Sequence, residues 1–242
     1  MEKTLAAPAA ARRKKPLLLH PAAKPVLFVL LLLPLAYLVL AAATDSLGAN
    51  PAEALIRRSG DWTLRLLCAT LAITPLRVLL KQPALARFRR MLGVATFSYG
   101  LLHFVCYAVL DQGLDLDVIL KDIAKRPFIL VGTATLLLMT PLAATSFNRA
   151  IKALGAARWQ RLHKSIYATA LLALLHFFWM KAGKNDFSEW SVYAAVVTSL
   201  LGWRVWEARR KTAPPTAGPA PVAAKRQGRQ PPLAREAGEG QG

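Results

Sequence analysis

The sequence predicts an all-α membrane protein, a six-transmembrane-helix bundle with both termini cytoplasmic, and three features predict it. First, 55% of the 242 residues are hydrophobic and lie in long blocks; about 20 consecutive apolar residues suffice to cross a bilayer as a helix. Second, the net charge of +19 sits between those blocks and at both ends of the chain. Third, the basic stretches recur on alternate connections, at the N-terminal arm, 81–90, 148–164 and the C-terminal tail. Lys- and Arg-rich loops stay on the cytoplasmic side, and an even number of helices agrees with that pattern. A nucleic-acid-binding domain intersperses its cations with stacking aromatics; here the aromatics lie mostly inside or at the edges of apolar blocks, so that class is excluded. Cys68 and Cys106 fall in separate blocks with no CxxC pairing and read as small buried hydrophobes.

Taken in order, residues 1–25 form a flexible basic arm containing Arg12-Arg13-Lys14-Lys15 and Lys24. Val26 to Ala43 is the first span. Ala41-Ala42-Ala43 resembles a signal-peptide cleavage site, but the apolar core is too long for one and more spans follow, so it reads as a retained helix. A polar connection with Asn50-Pro51 as breaker leads to the second span, Asp61 to Leu80, with Asp61 as N-cap and ion-pair partner of Arg65. Met91 to Leu110 is the third span, and the mixed-charge loop 111–126 contains a short interfacial helix near Val118 to Ile123. Pro127 to Phe147 is the fourth span, His163 to Met180 the fifth and Glu189 to Trp206 the sixth. Residues 26–210 are thus one transmembrane domain. The tail 211–242, rich in Pro, Ala, Gly, Lys and Arg, is expected to be disordered.

Two histidines carry the functional argument. His103 lies 13 residues beyond Arg90 and His176 lies 13 beyond His163, and both spans enter from the cytoplasmic side. At about 1.5 Å per residue both reach ~20 Å into a ~30 Å hydrocarbon core. An ionisable side chain in an apolar span is a functional candidate by default. Two imidazoles from different helices at one level can hold a flat metal macrocycle edge-on, one on each axial face, which points to haem. The bland alternative is a pair of histidines bonded to backbone carbonyls or to each other. Zinc is disfavoured because a structural site wants four N or S ligands. Tyr99, Cys106 and Tyr107 are expected on the His103 face and Ala173 and Phe177 beside His176; the acceptor for each imidazole's second nitrogen is not legible. Arg65 lies at the depth where haem propionates would project, although pairing with Asp61 explains it equally well. His163, at the membrane edge, reads either as an interfacial polar residue or as a quinone- or flavin-proximal group aided by Trp159 and Arg161. A second haem beneath the first is unsupported, because Arg89 and Arg90 stand where it would need a histidine. The basic loops are mostly topology signals, with Arg87, Arg89 and Arg90 also suited to anionic lipid or a flavin phosphate.

Several segments carry a resemblance: Thr74-Pro75-Leu76-Arg77; Arg89-Arg90-Met91-Leu92-Gly93 running to Tyr99 and Leu102-His103-Phe104; Trp159-Gln160-Arg161-Leu162-His163-Lys164; and Leu175-His176-Phe177-Phe178-Trp179. Together, over roughly Val26 to Arg210, they resemble the MsrQ (YedZ) family, haem-binding membrane subunits of a periplasmic methionine-sulfoxide reductase system within the ferric-reductase-like transmembrane superfamily. The resemblance implies a b-type cytochrome of the bacterial inner membrane. It would take electrons from the quinone pool and pass them to the periplasmic molybdopterin subunit MsrP, supporting repair of oxidised proteins. It also implies FMN, a cytosolic flavin reductase as a further donor, His103 and His176 as axial ligands, and His163 as the family's third histidine. On this reading the chain is an electron-transfer subunit with no catalytic residue of its own. The chain carries no C-terminal FAD/NADPH domain, so NADPH oxidation is not expected of it. The rival readings are a stand-alone ferric or cupric reductase and a non-redox transporter or scaffold.

Overall fold

Asn50-Pro51, which reads in the sequence as a breaker, starts the longest helix among the described residues. The Asn50 side chain accepts from the Glu53 amide at 3.1 Å and Pro51 occupies the first turn, a cap and an N1 proline that together nucleate a helix. This computed structural model describes residues 17–183 and 185–212. All regular elements among them are helical: α1 (Ala23–Ala43), α2 (Pro51–Leu79), α3 (Arg89–Cys106), α4 (Leu116–Lys125), α5 (Pro127–Ala144), α6 (Asn148–Leu154), α7 (Ala156–His163), α8 (Ile166–Ala182) and α9 (Ser188–Thr212). The first 16 residues of the N-terminal arm, and the tail from 213 with its expected disorder, lie outside the described residues; α1 begins at Ala23, inside the stretch expected as arm.

The element boundaries correct several expectations. Asp61 is an interior residue of α2, not its N-cap, because the helix starts ten residues earlier. The basic connection 148–164 is two short helices, α6 and α7, meeting at Gly155, whose φ of 75° favours glycine. The third span ends in a π-type turn, Tyr107–Asp111. The interfacial helix expected near 118–123 is α4, capped by Asp115, which accepts from the Asp117 and Val118 amides.

Among the described residues, five helical stretches are long and apolar enough to cross a membrane: 23–43, 51–79, 83–111, 127–144 and 156–182. The chain is therefore a multi-pass membrane protein. In α1 only Leu31, Pro34, Leu38 and Ala41 are buried. Their 3–4 spacing marks one stripe against the bundle, widened by the half-buried Leu27 and Leu35, while Phe28, Leu30, Leu33, Val39 and Leu40 are exposed. α2 packs along α3, α5 packs along α8, and α9 lies against α2 and α8. Leu67, Leu71, Ala170, Leu174 and Val197 fill the junction of α2, α8 and α9. Leu31, Leu66, Leu92 and Tyr99 fill that of α1, α2 and α3. Between these two seams α2, α3, α5 and α8 leave a space.

Candidate cofactor site

The space is a cavity of about 550 Å³. α3 directs His103 into it and α8 directs His176, with ring centroids 6.1 Å apart and ring planes inclined by 75°. His103 Nδ1 lies 2.8 Å from the Ile56 carbonyl oxygen and His176 Nδ1 lies 2.6 Å from that of Phe128. A carbonyl only accepts, so each Nδ1 carries the proton and donates, and each Nε2 keeps its lone pair for a metal. These are the acceptors that the sequence did not reveal.

The two imidazoles are seated by one repeated device. Four residues after each accepting carbonyl, one helical turn on, stands a glycine: Gly60 after Ile56 and Gly132 after Phe128. A Cβ at Gly60 would lie 3.1 Å from His103 Cε1 and 3.2 Å from its Nδ1. At Gly132 a Cβ would lie 2.8 Å from both Cε1 and Nδ1 of His176. The missing side chains let each ring lie against a neighbouring helix and reach a carbonyl already inside the helical ladder.

Leu64, Leu67, Leu136, Met139, Phe104 and Phe177 supply apolar walls. The polar lining includes Glu53, Arg57, Asp61, Asp111 and Arg126. Arg57 pairs with Glu53, and Arg126 with Asp122 at 2.8 Å. The buried Tyr107 donates to the same Asp122 at 2.8 Å. From α3 and the turn after it the lining residues are Gly100, His103, Phe104, Tyr107 and Asp111. Tyr99 and Cys106, expected on this face, are not among them, since Tyr99 is turned to α1. Ala173 and Phe177 do line the cavity with His176.

Arg65 points elsewhere. Its Nε donates to the Tyr193 hydroxyl at 3.3 Å and its guanidinium lies 5.0 Å from the Trp62 ring centre. It forms no ion pair with Asp61 within 4.0 Å among the described residues. The arginines that face the cavity, Arg57 and Arg126, adjoin the two carbonyls that hold the histidines, a placement visible only once α2 is seen to run unbroken from Pro51.

His163 belongs to a separate cluster. Its Nε2 is 3.1 Å from Thr145 Oγ1, its ring stacks on Trp159 at 4.0 Å and 28°, and Trp159 Nε1 donates to the Thr145 carbonyl at 2.9 Å. Arg161 is exposed beside it. Among the described residues no three His, Cys, Asp or Glu side chains gather as a metal cluster, so protein groups alone do not make up a four-ligand zinc site around the paired histidines.

The bundle thus directs two histidines from different helices into one cavity with largely apolar walls. The family model described as "Ferric reductase like transmembrane component" matches residues 59–174. The chain is 63% identical over 198 residues, 80% of this chain and 90% of the relative, to the protein-methionine-sulfoxide reductase heme-binding subunit MsrQ of Polaromonas naphthalenivorans. It is 55% identical over 179 residues to the subunit of the same name from Ralstonia nicotianae, covering 74% and 82% of the two chains. It is 54% identical over 192 residues to that of Bordetella pertussis, covering 78% and 93%. The chain belongs to the MsrQ family. No solved structure matches it.

Proposed function

We propose that the chain is the haem-carrying inner-membrane subunit of a methionine-sulfoxide reductase system, in which His103 and His176 would hold a b-type haem. The observation that carries this reading is the pair of imidazoles 6.1 Å apart with both Nδ1 atoms committed to carbonyls. Two metal–nitrogen bonds of about 2 Å, plus about 1 Å from each nitrogen to its ring centre, require roughly 6 Å between ring centres. The cavity's apolar walls and its size within the usual range for cofactor sites, about 300–1,000 Å³, fit the same group.

When bound, the haem supplies a one-electron redox centre. The chain's own residues do the rest. Ile56 and Phe128 fix the tautomer and orientation of the ligands and raise their basicity. Gly60 and Gly132 admit the rings, while Leu64, Leu67, Leu136 and Met139 exclude water and keep the dielectric low. Arg57 and Arg126 take the role of propionate partners that the sequence suggested for Arg65, each held in place by its carboxylate.

On this reading electrons come from the quinone pool and leave to the periplasmic subunit MsrP, named for the family resemblance. The relatives are heme-binding subunits of a protein-methionine-sulfoxide reductase by name, which supports a catalytic partner. The His163–Trp159–Thr145 cluster, with Arg161 nearby, is the proposed donor-side site for quinone or flavin. It precedes His176 by 13 residues, with ~15 Å of α8 from Ile166 to His176 between them, a gap that an intermediate carrier such as FMN, reduced by a cytosolic flavin reductase, would bridge. α9 is the sixth crossing and both termini are cytoplasmic.

The test is a reduced-minus-oxidised visible spectrum of the purified chain and of His103→Ala, His176→Ala and His163→Ala. Sharp b-type α and Soret bands are expected in the wild type, lost in the first two variants and largely kept in the third. A wild type with no Soret band after haem supplementation overturns the reading. Loss in the third variant as well replaces the ligand assignment.

A further inference from the structure

A second concavity, about 1000 Å³, runs along the outside of the bundle between α1 and α3. Its walls are apolar: Phe28, Leu32 and Leu35 from α1, and Val94, Leu101 and Val105 from α3. Lys24, Arg87 and Arg90 gather at one end. No Asp or Glu lines the trench, and none of the three cations has an ion-pair partner among the described residues. Arg87 donates to the Leu18 carbonyl at 3.0 Å and Arg90 to Asn148 Oδ1 at 2.7 Å. These neutral acceptors aim the guanidinium groups without cancelling their charge.

The trench therefore has a cationic collar and an apolar length. Arg90 and Val105 are 15 residues apart within α3, ~22 Å at the α-helical rise, enough to pass through one leaflet of a hydrocarbon core about 30 Å thick. The buried end of Tyr99 closes the floor, its hydroxyl already taken by the α1 backbone, so the walls ask for no polar partner. A second copy of this chain carries a net charge of +19, the same sign as the collar, and is repelled by it over long range. A neutral headgroup leaves three cations uncompensated at the membrane edge.

We propose that the trench between α1 and α3 binds one anionic phospholipid, its phosphodiester on Lys24, Arg87 and Arg90 and an acyl chain along Phe28, Leu35, Val94 and Val105. Basic recesses between transmembrane helices select such headgroups. The site is independent of the haem reading.

Full-length protein in nanodiscs containing equal phosphatidylglycerol and phosphatidylethanolamine, followed by native mass spectrometry of the released protein, tests it. The wild type is expected to retain one phosphatidylglycerol in preference to phosphatidylethanolamine. Each cation removed in Lys24→Gln, Arg87→Gln and Arg90→Gln should weaken retention by about 5-fold. Ser98→Trp, an exposed position in the trench, should abolish retention with the collar intact. Far-UV circular dichroism and monodispersity check folding. If the arginine variants do not fold, Lys24→Gln and Ser98→Trp decide the matter. Retention that does not distinguish the two lipids, retention insensitive to Lys24→Gln and Ser98→Trp, or a quinone or a second protein copy held there in place of phospholipid each overturns the proposal.

Discussion

At the scale of single residues, the site rests on two glycines as much as on two histidines. A Cβ added at Gly132 would meet His176 at 2.8 Å and one added at Gly60 would meet His103 at 3.1 Å, so the two positions differ in how much a methyl group displaces. Gly132→Ala forces the His176 ring off the Phe128 carbonyl at an overpacking cost of about 1–3 kcal/mol. Gly60→Ala asks the His103 ring to give by only a few tenths of an ångström. The expected outcome is loss of most haem absorbance per mole of protein in Gly132→Ala and partial loss in Gly60→Ala, read from the Soret band. A wild-type spectrum from Gly132→Ala sinks the seating argument. The histidines were legible in the sequence because an ionisable group in an apolar span is conspicuous. Their acceptors were not, because a backbone carbonyl leaves no mark on the residue that bears it. The mark was one turn further on, in a glycine inside each of two apolar helices.

At the scale of elements, caps and kinks decided what pattern reading could not. The apolar periodicity placed the spans, but Asn50-Pro51 admits two readings, breaker or cap with N1 proline, and only the Glu53 amide on Asn50 decides between them. The ten residues gained by α2 carry Ile56, Arg57 and Gly60, which is why the propionate partner was sought at Arg65. A comparable clasp holds α1. Pro34 interrupts its ladder, and the Tyr99 hydroxyl enters there, accepting from the Leu35 amide at 2.9 Å and donating to the Leu31 carbonyl at 2.8 Å. In an unbroken helix those two groups would bond each other. A side chain inserted into the helical ladder is a recognised source of a kink. Tyr99→Phe withdraws a donor and an acceptor from a buried position, at about 1–3 kcal/mol for a group left unsatisfied. Thermal unfolding in detergent should shift down, and proteolysis of the α1 segment should quicken, with the haem spectrum unchanged because Tyr99 does not line the histidine cavity. Unchanged melting would show that α1 is held by its buried stripe alone.

At the scale of the whole molecule, the number of crossings turns on α9, where length and composition disagree. Its 25 residues span ~37 Å at the helical rise, more than a ~30 Å core needs, yet Glu189 and Arg204 lower its apolar content. A composition count charges those residues equally whichever way they point. Arg204 points inward: it donates to the Leu71 carbonyl at 2.8 Å, to Thr74 Oγ1 at 3.2 Å and to the Tyr167 hydroxyl at 2.9 Å, with its guanidinium 5.2 Å from the Tyr167 ring centre. Only its Nε is without a partner. Glu189, at the helix start, receives Lys181 at 2.7 Å. Neither charge has to face lipid alone, so the proposed sixth crossing by α9 is expected to put Asp186 on the side opposite the basic loops and Arg209, Arg210 and Lys211 in the cytoplasm under the positive-inside rule. Single-cysteine labelling in spheroplasts reads this directly. Cysteines at Asp186 and after Lys211 are expected to react with a membrane-impermeant reagent from opposite faces, the first from outside and the second only after lysis. Labelling of both from outside leaves α9 on the surface, and the bundle then has five crossings with its termini on opposite sides.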